Sequence, residues 1–150
     1  MKKALQTLVI LLFTLTTSHC VIAQTKAHKD SLNALVKTYY NLNVKVPQAD
    51  SKVEDIDNIF NIFRDDFTYV HPKYGGVYTR EVLYKGYTRN QKNGRYDGNV
   101  TDIKVISKII GLNAVVVEKR FITKKEGEGE SQMTLFEFKN GKISKVFEYW

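Results

Sequence analysis

The sequence predicts an α+β fold in which one curved antiparallel β-sheet is covered on one face by helices. Three observations predict it. Apolar residues recur at helical spacing in the first half, the pattern changes to period two after Gly98 and keeps it to the end, and an Asn140-Gly141 pair marks a tight hairpin in that second half. Helices first and a long meander last mean one curved sheet with its apolar face covered by helices on one side.

The elements follow in chain order. Lys2 and Lys3 precede an apolar run from Leu8 to Leu15, then Thr16-Thr17-Ser18 and Val21-Ile22-Ala23, the order of an export signal cleaved after Ala23. That run is too short for a bilayer core of about 30 Å, which takes roughly 20 apolar residues. Residues 1–23 are therefore expected to be a signal peptide and residues 24–150 one exported domain, periplasmic or secreted. Cys20 offers the alternative of a lipid anchor, but His19 stands where a lipoprotein signal places a small residue. Cys20 is the sole cysteine, so a chain cleaved after Ala23 contains no disulfide, cysteine metal site or thiol nucleophile.

Loss of Lys2 and Lys3 reduces the formal net charge from +7 to +5, an excess spread without basic runs. It predicts solvated lysines and no nucleic-acid partner. Neither repeats nor a proline-rich linker divides the chain, whose prolines are Pro47 and Pro72.

From Asp30 to Leu42, Leu32, Leu35, Val36 and Tyr39 define one face of a first helix. Pro47 ends it, and Ser51 with Glu54 forms the capping box of a second helix whose stripe is Val53, Ile56, Ile59, Phe60 and Phe63. Phe67 to His71, ending at Pro72, reads as a strand with Phe67, Tyr69 and His71 on one face. Gly75-Gly76 reads as a loop, after which Thr79 caps a third helix that turns Val82, Leu83 and Tyr87 inward.

Asn99 to Ile110, Ala114 to Lys124, Ser131 to Lys139 and Lys142 to Trp150 read as four antiparallel strands. Asn140-Gly141 suits a two-residue type I′ turn, which needs positive φ at both central positions. Counted back from that turn without interruption, Phe138 faces Ile143, Phe136 faces Lys145, Thr134 faces Phe147 and Gln132 faces Tyr149.

Five strings in this order, "DDFTYVHP" (65–72), "GGVYTREVL" (75–83), "NGRYDG" (93–98), "LNAVVVEKRF" (112–121) and "FEFKNGKISKVFEYW" (136–150), carry a resemblance to the nuclear transport factor 2-like superfamily. Ketosteroid isomerases and SnoaL-like polyketide cyclases belong to it, and the strings look most like the branch catalogued as domain of unknown function 4440. The resemblance implies a cone-shaped sheet, a cystatin-like roll, with a ligand pocket in its mouth and pairing of copies through the outer face. It also implies catalytic candidates. His71 falls where the isomerases place their proton-moving carboxylate, and Tyr39 where they keep a hydrogen-bond-donating tyrosine. At the position of their protonated carboxylic acid this chain has Thr134, a weaker oxyanion partner.

The expected function is thus binding of a small apolar or aromatic molecule, with Tyr69, Thr134, Phe136, Phe147 and Tyr149 lining the pocket. The alternative is an acid–base enzyme of isomerase, cyclase or dehydratase type, with His71 as base and Tyr39 as donor. No metal or cofactor is predicted. Asp65 and Asp66 cap or solvate a helix end, and Glu126, Glu128 and Glu130 alternate with glycines at a hairpin tip without the ligand spacing of a calcium loop. His28 is expected in a mobile N-terminal stretch, and no serine motif supports covalent catalysis.

Overall fold

Helix α1, Lys26–Lys45, opens the part of the chain described by the structure, a computed structural model covering residues 25–149. The expected signal peptide with His19 and Cys20, and Trp150, expected to end the last strand, lie outside the described residues. The helix runs past both expected ends. Thr25 Oγ1 accepts the His28 N–H at 3.1 Å, and Asn43 Nδ2 donates to the Tyr39 carbonyl at 2.9 Å in the last turns. His28 is therefore on a helix, and its ring is hydrogen-bonded to the Leu112 carbonyl.

Helix α2, Val53–Asn61, starts one residue later than the capping box read from Ser51 and Glu54. Asp55, not Glu54, accepts the backbone N–H of the N-cap residue, Lys52, at 2.9 Å. Its other oxygen meets Lys45 Nζ at 2.5 Å, which ties α2 to the end of α1 and holds the Asp55 carboxyl below its ordinary range. Phe63 belongs not to α2 but to strand β1, Phe63–His71, where it stacks on Phe67 at 3.9 Å. Both rings remain in the core.

After a 3-10 turn, Pro72–Tyr74, comes β2, Gly76–Thr79, a strand where a loop was expected. Helix α3, Arg80–Lys92, begins at Thr79, whose hydroxyl accepts the Val82 N–H at 3.3 Å. Leu83, Tyr84 and Tyr87 pack on the core, whereas Val82 points to solvent. Strands β3, Val100–Ile110, β4, Ala114–Thr123, β5, Gly127–Glu128, β6, Gln132–Lys139, and β7, Lys142–Tyr149, complete the chain.

The seven strands form one mixed sheet in the order β2-β1-β7-β6-β4-β3, with the short β5 beside β4. The expected meander is present from β3 to β7, but β1 adds to it in parallel, alongside β7. A parallel pair needs a long crossover, here everything from β2 to β6, so no local sequence signal announces it. Helices α1, α2 and α3 pack on one face. Bulges in β3 at Thr101 and Ile106 add to the bending of that edge. Gly98 closes the approach to β3 with φ +66°. Its N–H donates to the Pro47 carbonyl at 2.9 Å, and a Cβ there would lie 3.0 Å from Gln48 Oε1.

Asn140 and Gly141 have φ of 54° and 72°, as the type I′ turn requires. Phe138 faces Ile143, as the turn predicts, but an extra residue, Ser144, then bulges out of β7. Its hydroxyl donates to the Glu137 carbonyl at 3.0 Å. Beyond the bulge Phe136 faces Val146, Thr134 faces Glu148 and Met133 faces Tyr149. The side chains from Lys145 to Tyr149 are thereby turned to the face opposite the one expected.

Candidate functional site

Six elements supply a cavity between the helices and the concave face of the sheet. From α1 come Tyr39, Tyr40 and Asn43, from α3 Tyr87, from β1 Tyr69, from β3 Ile103, from β4 Lys119 and Phe121, and from β7 Glu148. Its volume is about 100 Å³. An apolar cavity of roughly 150 Å³ holds a benzene, so the space suits a small molecule and not a steroid.

The strand rows explain which side chains arrive. On β4 the inward row is Val115, Val117, Lys119 and Phe121, a row that is apolar except for Lys119. On β7 the bulge at Ser144 turns Val146 and Glu148 inward. Lys119 Nζ and Glu148 Oε2 meet at 2.7 Å with side chains 2% and 5% exposed. The Thr134 hydroxyl donates to the same Oε2 at 2.9 Å. Glu148 Oε1 takes no hydrogen bond from the described residues. The ammonium also stands 5.0 Å from the Phe121 ring centre and 5.6 Å from that of Tyr40.

Burial pushes the Lys119 ammonium below its ordinary pKa, although Glu148 pulls the other way. The Tyr39, Tyr40, Tyr69 and Tyr87 phenols are driven up, first by burial and further by the Glu148 charge. Tyr96, hydrogen-bonded to the Tyr87 carbonyl, is raised to about 12 by burial. The phenols therefore stay protonated and able to donate at neutral pH. Tyr87 uses its hydroxyl on Asn43 Oδ1 at 3.3 Å. Thr134, its proton directed at Glu148, sits beside the buried Tyr40 hydroxyl without completing a hydrogen bond to it.

Of the residues read from the sequence, Tyr39 and Tyr69 line this cavity. Thr134 and Phe136 lie behind its wall. Thr134 fixes Glu148, and Phe136 is sealed against Tyr39 at 5.0 Å and Tyr40 at 5.7 Å. Phe147 and Tyr149 fall on the outer face, because the Ser144 bulge reverses their sides. Tyr149 there joins Ile109, Val116 and Met133 around a shallow surface depression. His71 is buried on β1, its ring centre 4.4 Å from that of Tyr74 and 6.2 Å from that of Tyr69, and is not among the side chains lining the cavity.

Lys119 and Glu148 are the residues that sequence reasoning missed. Lys119 left a signal, as the one charge in an apolar inward row, whereas Glu148 left none while the bulge was unseen. Among the described residues no group of three His, Cys, Asp or Glu side chains is placed to hold a metal ion. No helix among them is long and apolar enough to cross a membrane.

No family model and no curated protein sequence matches the chain. Solved structures do. A nuclear transport factor 2-like protein of unknown function from Burkholderia xenovorans is 17% identical with a TM-score of 0.55, over 80% of this chain and 82% of that one. A Catenulispora acidiphila protein of ketosteroid isomerase-like fold, solved with trimethylamine, is 15% identical with a TM-score of 0.53, over 77% and 84%. An epoxide hydrolase from Mycobacterium tuberculosis, of the type abbreviated LEH-like, is 18% identical with a TM-score of 0.55, over 77% and 79%. At these identities the likeness is one of fold, and the fold is nuclear transport factor 2-like.

Proposed function

We propose that this chain, with its nuclear transport factor 2-like fold, is an exported domain that binds a small apolar or aromatic molecule in the cavity beneath α1. The observation that carries this is a cavity of about 100 Å³ walled by Tyr39, Tyr40, Tyr69, Tyr87, Ile103 and Phe121 around one buried ion pair. Apolar walls with a few convergent polar groups are the general form of a ligand site. The neighbour that holds trimethylamine supports the size range.

Export rests on the Lys2 to Ala23 pattern, and the domain of unknown function 4440 branch on the five strings. Pairing of two copies is part of the same proposal and is supported by the exposed Ile109, Met133 and Tyr149 on the outer sheet face. A strict monomer in light scattering at high concentration removes that part. Of the two residues of the acid–base alternative, Tyr39 lines the cavity and His71 does not.

The test of binding is a ligand-observed NMR screen of small molecules against residues 24–150, repeated with Ile103→Trp, which fills the cavity. Binding lost in the filled but folded variant is the expected result. Binding that survives the filling, or no binding at millimolar concentration, overturns the proposal.

A further inference from the structure

The Lys119–Glu148 pair raises a question of ligand class that depends on the cavity being a binding site, as proposed above. Both charges lie inside the cavity wall, almost wholly removed from water, and each neutralises the other at 2.7 Å. The Lys119 ammonium has three N–H groups, and Glu148 accepts one of them. Glu148 keeps Oε1 as an acceptor that no described residue uses. Around this pair stand the rings of Tyr40 and Phe121, with the Tyr39 and Tyr69 side chains across the cavity.

A carboxylate beside aromatic faces is the setting that attracts a cation, and Lys119 already fills it from within the chain. An incoming ammonium would meet a carboxylate already neutralised, and an incoming carboxylate an ammonium already engaged. Either ion would be stripped of water without a free counter-charge. What the pair still offers is one donor beside one acceptor.

The geometry points to a cavity selective for neutral molecules that carry a hydrogen-bond donor beside an acceptor on a compact apolar body, with Lys119 acting as a tethered cation that excludes free ones. A primary carboxamide of about six heavy atoms has this form and suits the space. The trimethylamine-bound neighbour takes a ligand of a different chemical class, which makes the contrast testable.

The experiment uses three probes that share a branched body: isobutyramide, isobutyrate and isobutylammonium, titrated by NMR or calorimetry into residues 24–150 at pH 7. With the wild type, isobutyramide is expected to bind at least tenfold more tightly than either ion. Glu148→Gln, which keeps the shape and leaves Lys119 charged, should move the preference to isobutyrate by tenfold or more. Lys119→Met should move it to isobutylammonium, and the near-isosteric Glu148→Gln keeps the test decisive should that variant fail to fold. An ion that matches or beats isobutyramide on the wild type overturns the inference and leaves the binding proposal standing, as does an unchanged preference in Glu148→Gln. Absence of binding by all three probes, together with a failed wider screen, overturns both.

Discussion

Lys119 shows how one residue is set by its row and its partner. Its place on the inward row of β4 is visible in the alternation of Val115, Val117, Lys119 and Phe121, yet a lysine in that row is tolerable only because Glu148 reaches it. Removing one member of a buried pair leaves the other charge uncompensated, so Lys119→Met should destabilise the domain by about 3–5 kcal/mol. Lys119→Met combined with Glu148→Met should recover most of that loss, since replacing both charges by apolar groups of similar volume is often close to neutral. Urea unfolding of the two variants measures both numbers. A double variant no more stable than Lys119→Met would show that Thr134 or the cavity shape, not the pair, dominates. Tyr39 was legible through helical spacing, but its orientation toward a cavity was not, because core and pocket tyrosines share one pattern.

At the scale of elements, the last hairpin decides which side chains the site receives. Gly141→Ala places a Cβ at φ 72° and should cost about 1 kcal/mol or more, read as a lowered urea midpoint with an unchanged slope. Deleting Ser144 removes the bulge but leaves Ile143 opposite Phe138, Lys145 opposite Glu137, Val146 opposite Phe136 and Glu148 opposite Thr134, so Val146 and Glu148 stay on the inward face. The Lys119–Glu148 contact should therefore survive the deletion, at a cost of about 1 kcal/mol for the lost Ser144 hydrogen bond in urea unfolding; a deletion variant that turns Glu148 to solvent would refute this account of the register. Helix α2 makes the complementary point. Its apolar stripe was readable, and Phe60, which packs edge-on against Phe63 at 5.4 Å and Tyr84 at 5.0 Å, should cost about 3–5 kcal/mol when replaced by Ala. The boundary between α2 and β1 was not readable, because Phe63 serves the same buried cluster from either element.

Across the whole molecule the buried phenols predict the response to alkali. In the unfolded chain Tyr39, Tyr40, Tyr69 and Tyr87 ionise near pH 10, while in the folded protein their pKa values lie higher. The folded state then holds more protons above pH 10, so the stability these groups contribute is complete below that pH and is lost as pH rises through their folded values. Lys119 has the opposite sign. Its folded pKa is lowered, so the unfolded state binds the extra proton and stability rises with pH up to its ordinary 10.5. Four phenols against one amine predict net alkaline unfolding beginning above pH 10, with tyrosinate absorbance at 295 nm appearing together with the loss of far-UV circular dichroism. Tyrosinate that appears well before unfolding would contradict the burial of these hydroxyls.

The sequence by itself determined the α+β class, three helices, the four-strand meander and the Asn140-Gly141 turn, because each is written in spacing or backbone permission within a few residues. Tertiary structure alone decided the parallel seat of β1 beside β7, the bulge at Ser144 and hence the meeting of Lys119 with Glu148. These depend on contacts between segments far apart in the chain. Period two fixes which residues share a face only until one extra residue is inserted, and what selects that insertion is the burial it permits across the sheet.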